Sequence, residues 1–157
     1  MQPDETTTRL DRFLQQKLSS LSRTEVHHLI RTRQARVNGR YSDKGQRLEM
    51  GQEVTAEVAT HLSSNPSLQL PILYEDDSCL VLSKPCGLPT VARHLSDTRT
   101  VANYLVAITS ESDLAAEHPR EAGLVHRLDT ETSGLLVAAK NKIAYQSLRK
   151  QFRHRSI

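Results

Sequence analysis

An α+β fold in two parts is what this 157-residue sequence predicts, and three observations carry the prediction. Residues 1–58 hold two stretches with helical apolar spacing, followed by short runs that alternate apolar and polar residues as strands do. A Ser-rich, proline-interrupted stretch, residues 59–70, then reads as a linker and sets a boundary. Beyond it, residues 71–157 offer two apolar runs about an acidic turn, and a third that leads out of a polar loop toward an amphipathic helix.

Thr8-Arg9-Leu10-Asp11 opens the first helix. Thr8 is the candidate cap, Asp11 puts a carboxylate near the positive helix end, and Leu10, Phe13, Leu14 and Leu18 form one apolar stripe. The spacing implies about three turns. In the second helix Ser22 and Glu25 form a capping box, with Leu21 and Val26 placed to pack as a hydrophobic staple. Val26, Leu29 and Ile30 then face inward, leaving Arg23, His27 and Arg31 toward solvent. Ala35-Arg36-Val37 is a short strand running into Asn38-Gly39, a pair suited to the positive φ values of a tight hairpin turn. Glu53 to Val58 alternates as a half-buried strand, after a turn at Met50-Gly51.

In the second part, Ile72-Leu73-Tyr74-Glu75 and Cys79-Leu80-Val81-Leu82-Ser83 predict a hairpin about Asp76-Asp77. It ends at Lys84-Pro85-Cys86-Gly87-Leu88-Pro89, where Lys84 either meets a phosphate or holds the proline turn. Thr100 to Val106 predicts a helix capped by Asp97 or Thr98, and Ser110 to Pro119 a polar, acidic connection. Leu135 to Ala139 is a buried strand, and Asn141 caps a helix carrying Ala144, Leu148 and Phe152 at four-residue spacing.

Composition narrows the function class. No apolar run approaches the roughly 20 residues that span a bilayer, and Met1-Gln2-Pro3-Asp4-Glu5 has no secretory character. A cytoplasmic product without a membrane partner is expected. Cys79 and Cys86 lack metal-ligand spacing and are expected to stay reduced. Net charge is only +3, but its distribution is uneven. Arg23, Arg31, Arg33, Arg36, Arg40, Lys44 and Arg47 crowd a segment whose acids are Glu25 and Asp43, and Lys140, Lys142, Arg149, Lys150, Arg153 and Arg155 form an acid-free tail.

The stretch from Gly123 to Val137 is the one around which the second part is organised. An apolar run enters, a polar turn carries His126, Arg127 and Asp129, and Ser133-Gly134 leads into the next apolar run. A loop held between two buried strands is a rigid place to present a carboxylate beside a guanidinium. On the residues alone this is either a catalytic acid or a structural ion pair.

His126-Arg127-Leu128-Asp129, followed by Thr132-Ser133-Gly134-Leu135-Leu136, resembles the signature loop of RNA pseudouridine synthases of the large-ribosomal-subunit type. Tyr74-Glu75-Asp76-Asp77 and Lys84-Pro85 with Gly87-Leu88 resemble the opening of the same catalytic domain, with Ser83 where the family often has asparagine. The resemblance implies a mixed, mainly antiparallel catalytic sheet with Asp129 as nucleophile. It implies further that Arg127 fills the space left by a flipped nucleotide and holds Asp129 ionised. His126 would be a substrate-side residue, as a hydrogen-bonded support of the loop or as a general base. Residues 8–58, with Arg9-Leu10-Asp11, Ser22-Arg23, Leu29-Ile30 and Val37-Asn38-Gly39, resemble the S-four-type RNA-binding domain, in which Arg23, Arg31, Arg33, Arg36, Arg40 and Lys44 would meet RNA phosphates. Two positions depart from that pattern: Arg33 stands where the family usually has glycine, and Gln52 where it commonly has aspartate.

What the resemblance implies is isomerisation of specific uridines in structured RNA, ribosomal RNA in the first place and transfer RNA as the alternative; the sequence does not fix the oligomeric state, and a monomer is the favoured expectation. The bond from the anomeric carbon to nitrogen breaks, the base turns, and carbon five takes the place of nitrogen. No electrons change hands, so neither redox cofactor nor metal is expected. The target base must leave its stack at a few kcal/mol, which favours loops and bulges. The chain corresponds to about the first half of a typical synthase, so a C-terminally truncated catalytic domain with an exposed sheet edge and apolar surface is expected. An RNA-binding fragment without turnover is the alternative, and a structural ribosome-associated protein a third.

Overall fold

The chain divides into two units, Met1–Val58 and Ala59–Ile157, and the computed structural model describes residues 8–109 and 120–156. The N-terminal Met1 to Glu5 stretch and the Ser110 to Pro119 connection lie outside the described residues. Within these, no helix is long and apolar enough to cross a membrane.

In the first unit α1 is Leu10–Lys17, eight residues rather than about three turns. Thr8 does not cap it. Its carbonyl accepts from Leu48 N and residue 9 bridges Arg47, so the backbone of 44–46 meets the first helical donors, Leu10 N on Gln46 O at 2.9 Å and Asp11 N on Lys44 O at 3.2 Å. Strand-like pairing thus does the work a side-chain cap would have done. Arg9 instead grips Asp11 through both carboxylate oxygens, at 2.8 and 3.0 Å. Burial opposes ionisation of Asp11, but the hydrogen bond and charge of Arg9 hold its carboxyl below the usual range.

Helix α2, Arg23–Arg31, begins with the expected capping box: Ser22 N donates to Glu25 Oε2 at 2.8 Å and Glu25 N to Ser22 Oγ at 3.3 Å. It ends in a Schellman turn, with Gln34 N on Leu29 O and Arg33 N on Ile30 O. Arg33 sits there at φ 62°. That left-handed position suits glycine, and an L residue in it costs roughly 1–2 kcal/mol. Strands β1 (Ala35–Val37), β2 (Arg40–Tyr41) and β3 (Val54–Ala56) form an antiparallel sheet in the order β2-β1-β3. Asn38 and Gly39, at φ 48° and 74°, make the hairpin turn. Leu10, Phe13, Leu14, Val26, Ile30, Val37, Leu48 and Val54 close the core of this unit.

The second unit is built on β4 (Ile72–Glu75), β5 (Cys79–Lys84) and β6 (Gly134–Ala139), antiparallel in that order. Asp76 turns β4 into β5 by accepting from the N–H groups of Ser78 and Cys79, which, with the Tyr74 hydroxyl, pulls its carboxyl down to about 2. Lys140 ties the end of β6 to this turn through Glu75 Oε1 at 3.0 Å and Asp76 O at 2.8 Å. β5 and β6 pair over their whole lengths, from Cys79 opposite Ala139 to Lys84 opposite Gly134. Leu80, Leu82, Leu136 and Ala138 share one face and pack with Val101, Ala102 and Leu105 of α3, Val101–Ile108. The other face, through Val137 and Ala139, meets Tyr145, Leu148 and Phe152 of α4, Lys142–His154.

The expected helix cap in this unit is corrected. Helix α3 is capped by Thr100, whose hydroxyl accepts from Asn103 N at 3.2 Å, rather than by Asp97 or Thr98; the Asp97 carboxylate is taken by Arg93 N and His94 N. Residues 59–70 contain no helix or strand, yet they pack on the second unit: Leu62 and Leu70 are buried, Asn103 holds Ser63 O, and the Tyr104 hydroxyl holds Leu70 O. Every residue of β4 is exposed, Leu73 to 60% and Tyr74 to 53%, so this edge carries apolar side chains in water on both faces.

Candidate active site

The polar loop before β6 is fixed through its backbone. The run entering it is not a strand; Leu124 makes only an isolated bridge to Ala138, because a turn with Ala122 and Gly123 at φ 48° and 79° precedes it and the chain leaves the sheet by His126. Val125 N still reaches Val137 O at 3.2 Å. Thr90, itself buried, grips the next turn at Leu128, its hydroxyl donating to Leu128 O and accepting from Leu128 N at 3.2 Å. Thr130 O receives Gly87 N at 2.8 Å and Lys84 Nζ at 3.1 Å, and Thr132 N closes a turn on Asp129 O at 3.0 Å.

Lys84 is completely buried. Strand alternation puts it on the face of Leu80 and Leu82, so its stem follows them into the core. Its three donors find three carbonyls, Leu88 O at 2.7 Å, Pro85 O at 3.0 Å and Thr130 O. Of the two roles left open for Lys84, holding the turn is the one its geometry fits; a buried side chain with all donors engaged has nothing to offer a phosphate. Opposite it, Gly134 has φ 154°, and a Cβ there would lie 3.2 Å from Leu128 Cδ1. Leu128 thus fills the space that glycine leaves empty.

With Leu128 turned inward, Arg127 and Asp129 on either side of it are exposed. Among the described residues the Asp129 carboxylate makes no hydrogen bond and no ion pair, with Arg127 or any other group. An Arg–Asp pair is therefore not what locks this turn; Thr90, Gly87 and Lys84 do that. Arg127 lines a cleft of about 400 Å³ together with Arg93, Arg120, Thr90 and Thr130. Its one acid, Glu121, accepts from the Tyr145 hydroxyl at 2.9 Å, and three arginines against this one carboxylate leave the cleft positive on balance.

His126 does not line this cleft. Its Nε2 accepts from Val137 N at 3.2 Å and its ring stacks on Phe152, centroids 4.3 Å apart at 23°. Burial lowers its pKa, in keeping with an unprotonated Nε2 as acceptor. Among the described residues, no three His, Cys, Asp or Glu side chains converge as a metal site.

In the first unit a cavity of about 840 Å³ brings together Arg31, Arg33, Tyr41 and Lys44. Arg36 joins them through Tyr41, its Cζ 4.9 Å from the ring centroid. Arg23 lies apart, beside Arg9, Arg12 and His27 in a smaller hollow, and Arg40 lines neither.

Comparison with known proteins decides the family. A family model described as RNA pseudouridylate synthase matches residues 78–157, which span β5, the pinned loop, β6 and α4. The chain belongs to the RNA pseudouridylate synthase family. It is 35% identical over 167 residues to the ribosomal large subunit pseudouridine synthase C of Escherichia coli (strain K12), covering 98% of this chain and 49% of that protein. An uncharacterized RNA pseudouridine synthase of Bacillus subtilis (strain 168) is 32% identical over 158 residues, covering 98% of this chain and 52% of its own. Among solved structures, human RNA pseudouridylate synthase domain containing 4 is 30% identical over 54% of this chain and 30% of that one, with a TM-score of 0.38. This family member thus spans about half the length of its bacterial relatives.

Thr90, Arg93 and Arg120 were not singled out from sequence. Nothing local marks Thr90, whose partner lies 38 residues on. Lys84 did carry a signal: its parity with Leu80 and Leu82 places it on the buried face.

Proposed function

We propose that this chain is the RNA-binding and nucleophile-bearing portion of an RNA pseudouridine synthase that isomerises uridines in structured RNA, with Asp129 as the nucleophile. Ribosomal RNA is the first substrate class and transfer RNA the second, in the cytoplasm, with the protein as a monomer. The observation that carries this reading is the division within the loop: its backbone is held by Lys84, Gly87 and Thr90, while the Asp129 carboxylate is exposed and uncommitted; its neighbours Leu128 and Thr130 line the arginine-bearing cleft, which Asp129 itself does not line. A carboxylate on a rigidly held turn, exposed and without a fold-stabilising partner, is open to a substrate.

Arg127 is placed to fill the gap left by an extruded nucleotide, and Arg93 and Arg120 to take flanking phosphates. His126 acts from beneath, orienting the loop from its seat between β6 and Phe152. The first unit serves as the S-four-type module, its Arg31, Arg33, Arg36 and Lys44 gripping RNA backbone, with Arg23 and Arg40 as outlying contacts. The basic cavity of the first unit supports a second reading, RNA binding without turnover. The two separate by mapping pseudouridine in RNA from cells with the wild-type or Asp129→Asn gene. Loss of a specific pseudouridine in the variant, with RNA affinity retained, supports the enzyme; no difference in the map leaves the binding module.

A further inference from the structure

Tyr41 gathers two guanidiniums. Its exposed ring has Arg33 Cζ at 5.3 Å and Arg36 Cζ at 4.9 Å from the centroid. Arg36 arrives there because it is the cross-strand partner of Tyr41 in the β1–β2 hairpin. Arg33, the left-handed residue just past α2, has its guanidinium over the same ring. Two like charges beside one ring repel each other; Arg36 has Glu57 at 3.9 Å, 76% exposed, and the cavity that Arg33 and Tyr41 line carries one acid, Asp43, against Arg31, Arg33 and Lys44. Two guanidiniums on one exposed ring, in a cavity with more bases than acids, make a setting suited to an anion.

We propose that Arg33 and Arg36, held on Tyr41, form a two-guanidinium clamp for one backbone phosphate of RNA, and that this clamp is why arginine occupies a backbone position suited to glycine. The proposal rests on reading the first unit as an RNA-binding module and adds to it which phosphate contact is organised and by what. Guanidinium forks match phosphate oxygens bidentately, which a lysine pair would not do. A base is the poorer ligand for this ring, since the cations already engage its π system. Tyr41 is a positioning residue: it touches the arginines, and they touch the phosphate. Arg31 and Lys44, which line the same cavity, extend the path for the neighbouring phosphates.

The test uses the full chain and a fluorescein-labelled stem-loop RNA, with the dissociation constant measured across a salt series and thermal unfolding followed in parallel. Arg33→Gly relieves the strained backbone and raises the melting temperature of the first unit by roughly 4–8 °C. The same variant weakens RNA binding about 5–10-fold and lowers the salt slope by about one. Tyr41→Ala weakens binding to a similar degree without the gain in melting temperature, and Tyr41→Phe, which keeps the ring, restores it. An Arg33→Gly protein that melts higher yet binds with unchanged affinity and slope overturns the clamp. So does Tyr41→Ala that binds as wild type. A wild-type chain with no salt-dependent RNA affinity overturns the RNA-binding reading itself, a distinct result.

Discussion

Replacing Lys84 with methionine tests how the loop is held. The substitution keeps the unbranched stem among Leu80 and Leu82 and removes only the ammonium that reaches Pro85 O, Leu88 O and Thr130 O. Thr130 O still has Gly87 N, so two carbonyls lose this donor. At about 1–3 kcal/mol for each buried group left unsatisfied, and with the ammonium's own desolvation relieved in part, the net loss is about 2–4 kcal/mol. Against a typical total of about 5–15 kcal/mol that is a large share, and it lowers the melting temperature by roughly 8–30 °C. Turnover should fall about 100-fold, since a catalytic group misplaced by about 1 Å costs that much, while RNA affinity and its salt slope hold steady. The assays are thermal unfolding, a binding titration in salt, and pseudouridine quantification in a defined RNA. The opposite pattern refutes the reasoning: unchanged melting with weaker affinity and a salt slope smaller by about one would make Lys84 a phosphate ligand and the buried geometry irrelevant.

Gly134→Ala sets a methyl group 3.2 Å from Leu128 Cδ1 on a backbone that disfavours it; stability should fall by about 1–3 kcal/mol, read by denaturant unfolding, with Leu128→Ala in the same chain recovering part of the steric loss. Burial disfavours the charged ring of His126 and holds its folded pKa below the ordinary imidazole value of 6.5. The unfolded chain therefore binds more protons, and the His126 contribution to stability is complete above 6.5 and lost as pH falls through the lowered folded value. Unfolding at pH 7.5 and 5.5 should show this loss, and His126→Gln should flatten the difference. Asp76, already down at about 2, does not titrate in that window.

What could be foreseen from sequence follows the range of the interactions. The Ser22–Glu25 box, the Asn38-Gly39 turn and the Asn141 cap were legible because each is completed within three residues. Thr8 and Thr100 show where local rules give way. The donors that Thr8 was expected to cap were met by residues 44–46, and Asp97 was drawn off by Arg93 and His94, leaving the cap to Thr100. The motif residues His126, Arg127 and Asp129 were visible as a cluster, but their division of labour was not. That depends on Thr90 and Lys84, which reach the loop across 38 and 46 residues, separations at which no spacing rule operates.

The same contacts explain why the loop tolerates an uncommitted carboxylate. A turn whose conformation depended on an Asp–Arg pair would have to break that pair to act, and would lose its shape on doing so. Here the carbonyls of Leu128 and Thr130 and the N–H groups of Leu128 and Thr132 carry the conformation, and side chains at alternate positions are released from it. Leu128 is spent on Gly134, His126 on Val137 and Phe152, and Arg127 and Asp129 remain available. Asp129→Asn should for that reason leave the melting temperature within about 0.5 kcal/mol-equivalent of wild type, as for surface positions in general. A marked destabilisation on that substitution would mean that the carboxylate does hold the fold, and the case for Asp129 as a substrate-facing group would fail with it.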